Sequence, residues 1–470
     1  MKLQLNTSLE RSLKKRHLSL IALGSTIGVG LFLGSASAIK TAGPSVLLAY
    51  LISGLAVYFV MRALAEMAIH QPVAGSFTYY AHKYLGPLAG YVTGWNYYLY
   101  WLVMCIAEIT AVAVYMQFWF PDSPHWMWAL LSVAVMTIAN LLVVKTYGEI
   151  EFWFALIKIV AISCLIIGGL SIILFGIGNQ GMATGFSNLW IHDGFFAKGA
   201  IGLIFSFPIV LYSYAGLETL GLTAGEAEDP KTAIAKASRS VVWRILIFYI
   251  GALLVILSIY PWNGMNEQSS PFVTTFEQLG IKTAAGIINF VVITAALSSC
   301  NGGIFSTART LYSLAHQGQA PRTFINTSSN GIPQKAVLIS ASIMLIGVFL
   351  NYLVPEQLFI WMTSLAAFGA IWTWLTILVA QLKFRAQLKI NKQALDTFLM
   401  PLWPYTSYLT IGFFIFILCV MSRFENTRIA LYVGPIWILF LTVTYFISKR
   451  FLVKPDLSDL MLSQTDKHKI

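Results

Sequence analysis

Apolar runs long enough to cross a bilayer recur from one end of the chain to the other, parted by short polar or Pro/Gly-rich breaks. A spanning helix takes about 20 such residues. The runs predict twelve helices, at approximately 18–41, 44–69, 88–119, 125–144, 149–175, 198–223, 240–261, 283–313, 335–354, 357–384, 405–423 and 430–448. The expected fold is therefore an all-α polytopic membrane protein.

Two of these runs are interrupted. The first reads Ser25-Thr26-Ile27-Gly28-Val29-Gly30-Leu31-Phe32. It superficially resembles a dinucleotide-binding glycine fingerprint, but no βαβ unit surrounds it and the third glycine, Gly34, falls one position late. Two readings stay open. Glycines in membrane helices allow close helix packing. Alternatively, Gly28 and Gly30 let the helix unwind at mid-bilayer, where freed N–H groups attract a carboxylate and freed carbonyls an ammonium. The sixth run reads Tyr212-Ser213-Tyr214-Ala215-Gly216-Leu217-Glu218, with Pro208 one turn upstream. Proline removes a helix donor and glycine weakens the helix locally. Breaks at corresponding positions of two halves are the strongest sequence pointer to a transport site. They imply a polar segment 1–17, five spans over 18–175, an inverted repeat of them over 198–384, two peripheral spans over 405–448 and a tail over 449–470.

Composition supports the membrane reading. Hydrophobic residues make up 57% of the chain and charged residues 10%, against about 25% charged in soluble domains. The net charge of +11 would suggest nucleic acid in a soluble protein. Here the basic residues flank apolar runs, with no stacking aromatics interleaved, so nucleic acid is excluded as a partner. Clusters at Arg11/Lys14/Lys15/Arg16, Lys231/Lys236/Arg239/Arg244, Lys383/Arg385/Lys389/Lys392 and Lys449/Arg450/Lys454 fall on one side; Lys40, Lys198, Lys282, Arg423 and Arg428 fall on the other. The positive-inside rule then puts both termini in the cytoplasm. The first run is too long for a signal-peptide core and is expected to stay as a span. The Asn-Thr-Ser sequences at Asn6 and Asn326 fall on the cytoplasmic side. The four cysteines lie inside apolar runs without metal spacing and imply neither a metal site nor a disulfide.

The chain resembles the amino acid–polyamine–organocation superfamily, and within it the amino acid transporter family of bacterial permeases. The resemblance covers nearly the full length. It rests on Gly28 to Phe32, Ala42-Gly43-Pro44-Ser45, Met61-Arg62-Ala63-Leu64-Ala65-Glu66-Met67, Gly86 to Tyr91, Phe152-Trp153-Phe154 and Gly225-Glu226-Ala227-Glu228-Asp229-Pro230. Ile259-Tyr260-Pro261-Trp262-Asn263 and Ser270-Pro271-Phe272-Val273 look like the proline-specific permeases of enteric bacteria. The resemblance implies a five-plus-five inverted repeat with substrate between spans one and six. It implies a substrate carboxylate at backbone groups around Val29 and Gly30, and an ammonium at carbonyls near Thr26, Tyr212 and Ala215, with Ile27, Gly28, Ser213 and Gly216 completing the site.

Charges inside spans need a reason, since each costs about 3 kcal/mol on insertion scales. Lys158, in the fifth span, is either a lysine snorkelling to the interface or, as the resemblance implies, an ammonium replacing a sodium ion against the carbonyls of the broken first span. In the second case it is the proton-coupling group. Glu218 either stabilises the unwound sixth segment or pairs with another span. Glu108, in the third span, lines the cavity or pairs internally. Asn301, in the eighth span, bonds in the core or near the site. Glu226 belongs to a solvated loop or, by resemblance, to the cytoplasmic gate region. Tyr212 and Tyr214 are expected to close over substrate, and Trp372 and Trp374 are candidates for an outer gate. Trp95, Trp101, Trp126 and Trp128 are expected as interfacial anchors.

These features predict a secondary active transporter that imports a neutral amino acid, proline first, across the bacterial cytoplasmic (inner) membrane. The proton gradient supplies the energy and no cofactor is needed. Exchange without net proton movement, or a permease for histidine, aromatic or small aliphatic amino acids, fits the same residues. A channel lacks a filter-like repeat, a sensor lacks a sizeable output domain, and the scattered histidines form no enzyme site. Oligomeric state is not readable.

Overall fold

The computed structural model describes residues 27–448, except 74, 142–143, 178, 180, 224–229, 267–268, 279–281, 329–330 and 393–397. Thr26, Glu226 and the terminal segments lie outside the described residues. In chain order the helices are α1 (Val29–Phe32), α2 (Gly34–Ala42), α3 (Val46–His70), α4 (Ser76–Leu85), α5 (Pro87–Met116), α6 (His125–Leu141), α7 (Val144–Phe175), α8 (Gly199–Tyr212), α9 (Thr219–Thr223) and α10 (Pro230–Arg244). They continue with α11 (Ala252–Ile259), α12 (Pro271–Gln278), α13 (Lys282–His316), α14 (Gln334–Leu353), α15 (Pro355–Ile390), α16 (Tyr405–Met421) and α17 (Glu425–Ser448).

Each of the twelve predicted runs is helical over most of its described residues. Among the described residues, eight helical stretches are long and apolar enough to cross a membrane, and one of them, Gly34–His70, holds the first two spans. The fourth, sixth and eleventh are the shorter apolar helices His125–Leu141, Gly199–Tyr212 and Tyr405–Met421. Gly43, at φ +64°, turns the chain between the first two spans, a conformation that glycine adopts without a Cβ penalty. Gly86 and Pro87 start the third span, with proline at the first helical position, where its missing N–H costs nothing.

Two helices were not predicted. α4 and α12 are ten and eight residues long, too short to register as apolar runs. The seventh span also differs: it begins at Pro230, ten residues before the predicted start, and passes through a π-helical stretch at Ile245–Gly251.

The packing follows a repeat. Spans one and six, two and seven, three and eight, and four and nine pack against each other. Each of these pairs is five apart in order. Spans eleven and twelve lie against this bundle, and Leu409, Ile436 and Phe446 on them are exposed. Exposed apolar side chains of this number would drive a soluble protein to aggregate; on the flank of a membrane bundle they face lipid.

Two predicted surface roles are corrected. Trp101 is 0% exposed and packs among Tyr97 and Tyr100; it is a core residue, because it lies on the face of the third span that meets the eighth. Arg385, counted with the flanking basic residues, is buried and paired: its Nε donates to Glu66 Oε1 at 2.5 Å and its Nη2 to Oε2 at 2.8 Å.

Candidate functional site

The first span does not start as a helix where the described chain begins. Ile27 and Gly28 form a bend, α1 covers four residues, Leu33 makes a turn, and α2 resumes at Gly34. The sixth span breaks after Tyr212. From Ser213 to Glu218 the chain runs as successive turns, with Ala215 N–H donating to Tyr212 O at 3.1 Å and Thr219 N–H to Gly216 O at 3.1 Å. Gly216 sits at φ +94°, which explains a glycine at the centre of the break.

The two breaks meet backbone to backbone. A Cβ on Gly30 would lie 2.7 Å from Ser213 Cα and 3.0 Å from its nitrogen. A Cβ on Gly28 would lie 2.7 Å from Glu108 Oε1. The backbones can approach this closely because the glycines carry no side chains and the chain is non-helical at Ile27–Gly28 and at Ser213–Glu218. Ile27, Val29, Tyr212, Ser213 and Ala215 are all buried.

Charged side chains from other spans close on the first break. Lys158 is 0% exposed, which excludes snorkelling. Its Nζ donates to Ile27 O at 3.3 Å and to Ser298 Oγ at 2.9 Å. Val29 N–H donates to Glu108 Oε2 at 3.4 Å. Glu108 thus lies against an amide of the broken span, and its Oε1 has no hydrogen-bond partner among the described residues. Ser299 Oγ lies beside Glu108, and Tyr212 OH and Tyr115 OH are buried as well. These polar groups cluster at the first break, in a part of the bundle where buried polar atoms are normally paired.

At the sixth break, Trp374 Nε1 donates to Glu218 Oε2 at 3.0 Å. Glu218 thus pairs with another span, one of the two roles expected for it. Trp374, a candidate for an outer gate, is buried at this contact. Trp372 packs in a satellite cluster with Tyr91 and Leu441. Tyr214 does not close over the site either. Its ring stacks on Tyr249 at 4.8 Å and 28°, and its hydroxyl donates to Tyr50 O at 2.7 Å. Tyr249 OH donates to Ser213 O at 3.0 Å, and Tyr50 OH meets Ser213 Oγ at 3.1 Å. Three tyrosines from spans two, six and seven therefore brace the break. Asn301 bonds to Glu151 Oε2 at 3.3 Å and to Asn140, a core network that reaches Lys158 through Ser298.

Two cavities approach the breaks. One of about 180 Å3 is lined by Gly34, Ser37, Tyr212, Phe359 and Thr363, among others. A larger one of about 1200 Å3 reaches from Lys40, His125 and Glu356 to Leu33, Ser37 and Phe359. Phe359 lines both and meets the Tyr212 ring edge-on at 6.4 Å. Tyr50, Tyr249, Glu151, Ser298 and Phe359 were missed by sequence reasoning. Only Glu151 carried a signal, a second ionisable group near the start of the fifth span.

The profile of the amino acid permease family matches residues 17–457. Three proteins of Bacillus subtilis (strain 168) are similar over almost their whole length. Uncharacterized amino acid permease YtnA is 57% identical over 93% of this chain and 95% of its own. Probable threonine/serine transporter YbxG is 48% identical over 94% and 96%. Amino-acid permease AapA is 44% identical over 94% and 96%.

Proposed function

The chain belongs to the amino acid permease family, and on that premise we propose that it imports a small neutral amino acid by alternating access, coupled to proton entry through Lys158. As a permease it is a transporter rather than an enzyme. The observation that carries the reading is the contact of the two breaks at Gly30 and Ser213. It sets freed backbone groups of both half-helices around one point, the arrangement that reads an α-carboxylate and an α-ammonium.

Substrate enters from the cavity that narrows to Leu33, Ser37 and Phe359. On this reading the cavity opens to the outer side and both termini are cytoplasmic, the orientation that the charge distribution favours. The substrate carboxylate takes the Val29 and Gly30 amides, displacing Glu108 from Val29. The ammonium faces carbonyls of Ile27, Tyr212 and Ala215. Lys158, held on Ile27 O, senses the state of the first span through that carbonyl. Losing its proton removes its strongest attraction to the carbonyl, which frees the broken span to move.

For the side chain, the buried polar groups of Glu108, Ser299, Tyr115 and Tyr212 beside the breaks favour a hydroxyl-bearing substrate. The name of the threonine/serine relative agrees. Proline, to which the subfamily resemblance points, is the second reading. Reconstituted protein should be loaded with labelled threonine or proline and challenged with each of the twenty amino acids, with and without a pH gradient. Serine and threonine are expected to compete best. No competition by any amino acid would sink the permease assignment at the level of substrate, and equal rates without a gradient would favour exchange. Coupling through Lys158 falls if Lys158→Ala keeps full pH-dependent accumulation.

A further inference from the structure

Glu151 lies seven residues before Lys158 on the fifth span, nearly two turns and about 10 Å away along the helix. Its carboxylate is tied to the eighth span on both oxygens. Ser298 donates its hydroxyl to Oε1 at 2.5 Å, and Asn301 Nδ2 donates to Oε2 at 3.3 Å. Asn301 Oδ1 accepts from Asn140 Nδ2 at 2.7 Å. The same Ser298 oxygen accepts from Lys158 Nζ at 2.9 Å. Glu151, Ser298, Asn301 and Lys158 are each 0% exposed.

We propose that Ser298 and Glu151 relay the coupling proton between Lys158 and the cytoplasmic end of the fifth span. The relay rests on the reading of Lys158 as the coupling group. The hydrogen bonds already run in one direction. A proton leaves Lys158 Nζ for Ser298 Oγ, while the original hydroxyl proton of Ser298 passes to Glu151 Oε1. One N–H and one O–H bond break, and two O–H bonds form. Lys158 ends as a neutral amine, Glu151 as a neutral acid, and Ser298 as the hydroxyl it was.

The charge balance makes the step feasible in a dry interior. Before transfer the ammonium and carboxylate compensate each other; afterwards neither carries charge. No stage leaves an unpaired charge in low dielectric, which is the costly state. Among the described residues, the other groups hydrogen-bonded within the relay are neutral: Ser298, Asn301 and Asn140 come from spans eight and four. Glu108, on the third span, is the remaining carboxylate near Lys158, and it is turned to the Val29 amide. A hydroxyl between the two ionisable groups also separates this arrangement from a fixed ion pair. Removing that hydroxyl interrupts transfer while leaving both charges in place.

The test uses the full chain in proteoliposomes, as Glu151→Gln, Ser298→Ala, Ser298→Thr and Lys158→Ala. Two assays are run with the amino acid that gives the fastest counterflow in the unmodified protein. Counterflow without a gradient reports binding and alternation; accumulation under an imposed pH gradient, with internal pH followed by a dye, reports coupling. Glu151→Gln and Ser298→Ala are expected to keep counterflow within about threefold and to lose accumulation by about tenfold or more. Ser298→Thr, which keeps the hydroxyl, is expected to retain accumulation. Unchanged accumulation and pH profile in Glu151→Gln would overturn the relay. So would loss of counterflow and accumulation in equal proportion, the mark of a counter-ion that only holds the fold. If Lys158→Ala itself keeps pH-dependent accumulation, the coupling reading fails and the relay with it; if only the Glu151 and Ser298 variants keep it, the relay alone fails.

Discussion

At Gly30 a single missing carbon decides whether two half-helices can touch. Its Cβ would meet backbone atoms of Ser213 at 2.7 and 3.0 Å, and backbone, unlike a flexible side chain, cannot swing away. Gly34, one turn on, has its nearest neighbours at 3.9 and 4.0 Å, ordinary van der Waals contact. The expected outcome is therefore a contrast: Gly30→Ala loses uptake by about tenfold or more, because small misplacements at a binding site are costly, whereas Gly34→Ala stays near the unmodified rate. Initial uptake rates in proteoliposomes, normalised to folded protein by size-exclusion, check this. Equal rates for the two variants would mean that the Gly30–Ser213 contact does not shape the site. At the same scale, the sequence marked Gly28, Gly30, Lys158 and Glu108 as special but left each with two readings. Burial removed the snorkelling reading of Lys158, since a fully enclosed ammonium cannot reach the interface.

Among elements, the second and tenth spans are clasped at one end by Glu66 and Arg385. Glu66 Oε2 also accepts from Gln381 at 3.2 Å and from the Met400 N–H at 2.9 Å, so the clasp fixes the chain before the eleventh span as well. Both side chains are buried, and a buried pair is costly to break by halves. Glu66→Gln leaves the Arg385 charge uncompensated and is expected to cost about 3–5 kcal/mol. Glu66→Gln combined with Arg385→Met removes both charges and is expected to be less destabilised than Glu66→Gln alone. Thermal unfolding in detergent reads the difference; a double variant as unstable as the single would mean that charge pairing is not what holds this end. The motif around Glu66 was visible in the sequence as a family signature, but its partner was not. Arg385 lies more than three hundred positions away and reads as one more flanking charge.

For the whole molecule, the pairing of spans one with six through four with nine places the two breaks at the centre of the bundle. The larger cavity meets them from the side that carries Lys40. If that side is extracellular and transport is proton-driven, uptake into proteoliposomes of matching orientation should rise as external pH falls at fixed internal pH. It should decline as the external side is made alkaline, because the proton gradient then opposes entry. A protonophore should abolish the dependence while sparing counterflow. Uptake indifferent to external pH and to protonophore would move the protein to the exchange reading.

The sequence by itself carried the apolar runs that become helices, the glycine and proline positions at which two of them are interrupted and the resemblance to amino acid permeases. These depend on properties carried along the chain: apolar length, glycine and proline at fixed positions, and motif order. It could not show that α4 and α12 form, because short amphipathic helices owe their stability to tertiary partners rather than to apolar length. Nor could it show that Tyr214 braces the sixth break instead of covering it, that Trp101 is core, or that Glu151 reaches Lys158 through Ser298. Those outcomes depend on which faces of distant helices meet. The same side chain is an anchor, a brace or a proton carrier according to what the packing sets beside it.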